Sequence, residues 1–322
     1  MQSTRRKVIL ATALAAVVPL AAAQAFPDRP LKIIYTYAPG GTGDSLTRAL
    51  ADGMSKDLGQ PVIVENRTGA QGTIGVLAGA RAPADGYTMM LTTITTVVQT
   101  PLVTKDTSFD PITGMVPIAN VSVTPLVLLA HPSVPANDFP SFVEWARKQE
   151  AGVDMAVSGP TLEVSTALLA RDAKIKIVNI NFRGGAPALQ ATLAGQTKIF
   201  FNTPSAQMTE FVKQGRLKVL GVTSAEPTPL VPGGVPISKF VPGYVQDINF
   251  AIWAPAGTPR DVVQKLSAAV KKAAAEPGMA ERFHDMGTTL RPAGGDEVTR
   301  IAKREAQNIK TVMETTGMKY GQ

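Results

Sequence analysis

Two glycine-rich loops hold the residues of this chain whose types and spacing suit chemistry. Ala38-Pro39-Gly40-Gly41-Thr42-Gly43 lies between an apolar run and a helical pattern, and Gly69-Ala70-Gln71-Gly72-Thr73 repeats that arrangement later in the chain. A glycine loop that opens a helix brings several backbone N–H groups and the positive end of the helix dipole to one point. Such a point can hold a carboxylate without an arginine. Gly40, Gly41 and Gly43 would let the main chain approach a ligand closely, and Thr42 and Ser45 add hydroxyl donors. Asp44 stands just before the helical run and reads as an N-cap. In the second loop Gly69, Gln71 and Gly72 are the candidate ligand contacts. Thr92 and Thr93 follow a strand, where a parallel sheet exposes its carboxyl ends to ligand. Further on, Ser158, Gly159, Thr161 and Ser165 supply matching hydroxyl and amide donors, and Gly184-Gly185-Ala186 opens another helix at Pro187. Arg183 either pairs with a ligand carboxylate or sits exposed at the lip of the site, and Asn202 can both donate and accept.

Nucleophilic chemistry is the competing reading. Gly43-Asp44-Ser45-Leu46 has the form of a serine lipase and esterase signature, but such a serine needs a histidine to take its proton. His131 falls in a proline-containing loop and His284 in an amphipathic helix with Glu281 three residues before it, so neither is placed to serve Ser45. The chain has no cysteine and only these two histidines, which removes cysteine nucleophiles, disulfides and a clustered metal site. No cofactor is expected.

The elements that must position these loops can be read from periodicity. Residues 31–37 read as a buried strand, followed by the helical spacing of Leu46, Leu50, Met54 and Leu58. Strands at 62–64 and 87–91 with a helical segment at 74–80 complete a βαβαβ run, the unit of a parallel sheet covered by helices. Residues 121–130 read as one further apolar strand. A helix at 139–148 and short strands at 154–157, 176–181, 198–202 and 218–223 then form a second α/β unit. A Pro/Gly-rich stretch spans 227–243, a strand follows at 248–253, and only helices are expected beyond Gly257-Thr258-Pro259. Those helices would cover the first sheet. The chain is therefore expected to leave the first domain near residue 122 and to return near 228, giving residues 26–122 plus 228–322 as one domain and 123–227 as the other. Trp253 reads as cleft wall or hinge packing and Trp145 as core.

Arg5, Arg6 and Lys7 precede an uncharged apolar run that ends in Ala23-Gln24-Ala25, the form of a secretory signal peptide with processing after residue 25. That run is shorter than the roughly 20 residues needed to span a bilayer. Three of the charges in the formal total of +7 lie in this segment, so the remainder carries about +4. Dispersed charge without a basic, aromatic-interleaved run excludes a nucleic-acid partner. About 300 residues exceed the usual single core, which calls for two domains.

Taken in order, Phe26-Pro27-Asp28-Arg29-Pro30-Leu31, the first glycine loop, Gly59-Gln60-Pro61-Val62-Ile63-Val64-Glu65-Asn66-Arg67, Ala84-Asp85-Gly86-Tyr87, Phe182-Arg183-Gly184-Gly185-Ala186-Pro187 and Ala254-Pro255-Ala256-Gly257-Thr258-Pro259 carry a resemblance. Together they resemble the Bug family, the substrate-binding receptors of tripartite tricarboxylate transporters. The resemblance implies an α/β, two-domain periplasmic binding protein of the Venus-flytrap kind, each domain a mostly parallel sheet flanked by helices. It further implies a small carboxylate enclosed between the domains, membrane transporter subunits as partners, and a periplasmic location. A receptor that signals rather than transports stays open beside this, and a monomer is expected. Two departures fall on cleft loops. The family commonly has a Tyr-Gly-Ser run where this chain has Ala156-Val157-Ser158-Gly159-Pro160, and an aspartate where Asn202 stands. Loss of that negative charge should favour a ligand without an ammonium group.

Overall fold

The computed structural model describes residues 26–40, 42–105, 108–158, 160–182 and 185–317. Strand β1 (Leu31–Tyr35) leads through helix α1 (Thr42–Leu58) to β2 (Val62–Asn66), and helix α2 (Thr73–Ala80) leads to β3 (Thr88–Thr93). β1 pairs in parallel with both β2 and β3, as the βαβαβ pattern requires. Leu31, Ile33, Ile34 and Tyr35 are all buried because helices cover both faces of this sheet.

Helix α3 (Ile94–Thr104) and strand β4 (Met115–Thr124) follow, and then β5 (Val127–Ala130) opens a second sheet. The single strand expected over 121–130 is thus two strands in two sheets. Pro125, which has no N–H to give a ladder, stands at the break. The second sheet continues with α4 (Phe139–Ala146), β6 (Val153–Val157), α5 (Pro160–Ala173), β7 (Ile177–Asn181), α6 (Gly185–Leu193), β8 (Ile199–Asn202), α7 (Ala206–Lys213) and β9 (Lys218–Val222). The chain rejoins the first sheet at β10 (Ile248–Pro255), then forms α8 (Arg260–Ala274), α9 (Met279–Asp285), β11 (Thr289–Gly294) and α10 (Gly295–Thr316). Strand β11, where only helices were expected, pairs antiparallel with β4.

The strand orders are β11-β4-β10-β3-β1-β2 and β7-β6-β8-β5-β9. Both sheets are mixed rather than mostly parallel. The first strand after each crossing, β5 in one sheet and β10 in the other, runs antiparallel to both of its neighbours.

Residues 223–247 do not return directly to the first sheet. Leu230 and Val231 are buried with Val127, Leu129 and Phe200 of the second sheet, and main-chain contact with the first sheet resumes only at Ile248. The Pro/Gly content masked these anchoring residues, which have no period to reveal them. Helix α8 packs on α1, as expected of a cover for the first sheet, but α10 reaches further and touches α5 of the second lobe as well as α3 and β4. One apolar cluster therefore runs through both lobes, from Val298 and Ile301 to Leu128 and Leu169. Trp253 belongs to it, fully buried and away from any opening, and Trp145 packs at its edge against Phe142.

Candidate functional site

The carboxyl ends of β1, β3, β6 and β8 and the two crossing segments converge on one cavity of about 520 Å³. Its walls come from both lobes. Tyr35, Tyr37, Thr93, Thr95 and Phe250 line it from the first sheet, and Ser158, Thr161, Gly185 and Asn202 from the second. Of the residues expected at the site, Thr93, Ser158, Thr161, Gly185 and Asn202 meet here.

Strand alternation decides which threonine reaches it. Thr93 turns toward the cavity and caps α3, its Oγ1 accepting from the Thr96 N–H at 3.2 Å. Thr92 turns the opposite way and is fully buried, its Oγ1 2.6 Å from that of Thr36. Thr92 is therefore structural, contrary to expectation. Tyr37 Oη bonds the hydroxyls of Thr93 and Thr96, and those two hydroxyls lie 2.8 Å apart, so a small hydroxyl network marks the N-terminus of α3.

The first glycine loop serves differently from its expected role. Asp44 lies inside the first turn of α1 rather than at its N-cap. Its carboxylate accepts from the Gly40 N–H at 3.1 Å, from Arg48 at 3.0 Å and from Asn66 at 2.8 Å. Burial pushes its pKa up, but the hydrogen bonds from Arg48, Asn66 and Gly40 outweigh that and hold it below the ordinary value. A carboxylate of the protein itself thus holds the main chain of this loop at Gly40. Ala38, Pro39 and Gly40 are exposed and do not line the cavity. Gly43 acts by what it lacks: a Cβ there would sit 2.1 Å from Tyr35 Oη and 3.0 Å from Phe250, the two rings that wall the cavity. The buried Tyr35 hydroxyl has its pKa raised, by desolvation first and then by Tyr37 and Asp44, so it stays protonated and able to donate.

The second glycine loop also lies behind the cavity wall. Gly72 packs against Thr36, Tyr37 and Thr96, Gly69 lies over Ile74, and Gly69 and Gln71 are exposed, so none of the three lines the cavity. In the second lobe Ser165 is buried, with its Oγ donating to the Thr161 carbonyl at 3.0 Å and its own carbonyl accepting from Tyr244 Oη at 2.9 Å. It belongs to the seam between lobes and not to the cavity. Ala186 is exposed outside it. Gly41, Gly159, Arg183 and Gly184, and the side chain of Thr42, lie outside the described residues.

Sequence reasoning missed the apolar lining, namely Leu126, Leu162, Phe200, Ile248, Phe250 and Met286, because each sits in a run that reads as ordinary core. Ser205 was legible in principle: it caps α7 by accepting from the Met208 N–H at 3.1 Å, and a serine before a helical run signals such a cap.

Behind Thr95 lies a buried acid. The Thr95 hydroxyl donates to Glu305, whose Oε2 is shielded from solvent and whose pKa burial raises to about 7, with Arg304 partly offsetting the shift. Asp247, likewise raised by burial, lines the same small seam. A carboxyl whose folded pKa lies above its ordinary 4.5 leaves stability intact below pH 4.5 and removes it as pH rises through 7. The loss is up to about 3 kcal/mol for this shift. The melting temperature is expected to fall between pH 4.5 and 7, and Glu305→Gln to flatten that slope. An unchanged slope in the variant would place the titrating group elsewhere.

His131 Nδ1 lies 2.8 Å from Ser133 Oγ in the second lobe, and His284 is half-exposed beside Asp285. Ser45 in α1 has neither as a base. Among the described residues no group of three or more His, Asp or Glu is placed to hold a metal ion.

Two mixed α/β lobes joined by two crossings, with a cavity between them at the strand ends, define a bilobal solute-binding receptor. A family model described as tripartite tricarboxylate transporter family receptor matches residues 46–318, and the chain belongs to that family. It is 31% identical over 301 residues to the UPF0065 protein in the tcbD-tcbE intergenic region of Pseudomonas sp. (strain P51), with 90% of this chain and 88% of that one covered. Among solved structures it is similar to the periplasmic binding protein BugD, with 27% identity, a TM-score of 0.71, and 92% of this chain and 100% of that one covered. It is similar also to MatC from Rhodopseudomonas palustris with bound malate, with 27% identity, a TM-score of 0.70, and coverage of 89% and 99%. As a receptor of this family it is a binding protein, and the esterase reading of Gly43-Asp44-Ser45-Leu46 falls.

Proposed function

We propose that this receptor captures a small carboxylate between its lobes and presents it to the membrane subunits of a tripartite transporter. One observation carries the reading: the N-termini of α3, α5, α6 and α7 and their neutral donors converge on a single cavity. Helix N-termini stabilise an anion without a formal positive charge. Malate in MatC supports a carboxylate as the ligand class. Thr93, Ser158, Thr161, Gly185 and Asn202 are the proposed contacts. The proposed lobes are 26–124 with 248–317, and 127–222 with the stretch 228–247 packed upon it. Residues 1–25, outside the described residues, are proposed as the signal that exports the chain to the periplasm. The receptor acts as a monomer, and light scattering that returned a stable dimer in dilute solution would refute this.

Gly185→Val tests the site. A Cβ at Gly185 meets nothing within 4 Å, so the protein should fold normally while the new side chain fills the mouth of α6. Affinity for the best-binding acid, measured by titration calorimetry, is expected to fall at least about tenfold, ~1.4 kcal/mol. Unchanged affinity would move the site away from this helix.

A further inference from the structure

We propose that Glu305 of α10 is a positioning residue of the capture site: its carboxyl proton turns the Thr95 hydroxyl toward the ligand, so that capture of a carboxylate takes up a proton. This rests on the capture reading above and adds how the site aims one of its donors. Thr95, in the first turn of α3, lines the cavity between the lobes and lines also the small seam behind it, where Glu305 lies. Thr161 of α5 borders both spaces as well, so cavity and seam share these walls.

The groups around Glu305 come from four elements. Helix α3 has no ionisable residue, and of the ionisable residues of α5, Glu163, Arg171 and Asp172, none lines the seam or the cavity. The second crossing brings Asp247, whose Oδ1 lies 3.3 Å from Thr223 Oγ1 and which has Arg291 and Arg304 nearby. On α10 itself Arg304 precedes Glu305. Tyr244 meets the seam through the Ser165 carbonyl, to which its hydroxyl donates.

A hydroxyl has a single proton to donate. While Glu305 is ionised Thr95 gives it that proton, and only lone pairs are left for the cavity. That state opposes a captured carboxylate twice, by like charge and by turning an acceptor toward an acceptor. A protonated Glu305 donates to Thr95 Oγ1 instead, which frees the Thr95 proton for the ligand. The ligand's own charge, entering beside Thr95, favours the neutral acid further. The seam is already biased that way. Glu305 Oε2 is shielded from solvent and has no hydrogen-bond partner among the described residues, and burial raises the pKa to about 7, so the free receptor is part-protonated here near neutral pH.

Titration calorimetry of the purified receptor tests this, using the tightest binder among succinate, glutarate, adipate, benzoate and phenylacetate, in phosphate and in Tris buffer at pH 7.5. The difference in heat between the buffers counts protons, and uptake of more than about half a proton per ligand is expected. Affinity is expected to fall at least about tenfold from pH 6.5 to 8.5, a range in which these acids stay largely ionised. In Glu305→Gln the amide donates to Thr95 as the protonated acid does, so the variant is expected to stay within about threefold of the wild-type affinity at pH 6.5, with neither proton uptake nor a fall at higher pH. Thr95→Val, close in shape, is expected to bind at least about fivefold more weakly at pH 6.5. Wild-type binding without proton uptake would overturn the proposal and leave carboxylate capture standing; this count needs no variant to fold. Uptake that persists in Glu305→Gln would assign the proton to another group, Asp247 first, and overturn it too. Unchanged affinity in Thr95→Val would remove the link between acid and ligand, with the same result. If none of the five acids binds at any pH, the capture reading falls as well.

Discussion

Asn202→Asp is expected to weaken carboxylate binding about 100-fold, or ~3 kcal/mol. Asn202 lines the cavity and its Oδ1 accepts from the Thr203 N–H at 2.9 Å, so its Nδ2 group is the donor it has to offer a ligand. Aspartate keeps the bond from Thr203, so the β8 end and the start of α7 should hold their shape. The other oxygen then replaces two N–H donors with an acceptor bearing charge. The ligand loses a hydrogen bond and gains repulsion in a cavity with no described cation to compensate. Calorimetry with the acid and with its uncharged amide separates the effects, since the amide is expected to lose much less. Equal loss for acid and amide would point to distortion of the site rather than repulsion. No loss for the acid would remove Asn202 from the site.

Gly287→Val is expected to reduce affinity at least about 30-fold by holding the lobes apart. Gly287, between α9 and β11 of the first lobe, has φ +75°, and a Cβ there would lie 2.2 Å from the main-chain oxygen of Pro204 in the second lobe. A β-branched residue resists the left-handed conformation, at a cost of roughly 1–2 kcal/mol. The clash adds to this, and it is with backbone, which cannot swing aside. The clash can be relieved by opening the cleft, so lost binding should accompany a cooperative melt with modestly lower temperature. Small-angle scattering at saturating ligand should give a larger radius of gyration for the variant than for the parent. Undiminished affinity would show that capture does not require the Gly287–Pro204 contact.

Much of this architecture was legible before any coordinates. The unbroken apolar runs of β1 and β3, the glycine turns and the helical spacing of α1 specify strands and helices through local sterics and periodicity, and the βαβαβ order forces a parallel core. The ordered motifs pointed to the receptor family by themselves. Local signals failed where two solutions share one pattern. Residues 121–130 read as one strand, because an apolar run divided between two sheets has the same local pattern as one that is not. The stretch 223–247 hides Leu230, Val231 and Tyr244 among prolines and glycines without a period.

The site divides the same way. Sequence by itself determined that neutral donors stand at helix starts, because the chemistry of glycine, serine, threonine and asparagine is fixed by residue type. It also determined that no cysteine or histidine cluster would compete. Only the tertiary structure decided which of those donors meet. Thr93 and Thr92 are adjacent and chemically identical, yet the pleat sends one to the cavity and the other to Thr36. Asp44 could have capped a helix or faced a ligand, and the approach of Arg48 and Asn66 settled it. The apolar floor was the least legible feature, since Leu126, Ile248 and Phe250 are indistinguishable from core until two crossings bring them to one opening. Whether a buried apolar face meets protein or ligand depends on the packing of segments more than a hundred residues apart, which no local pattern encodes.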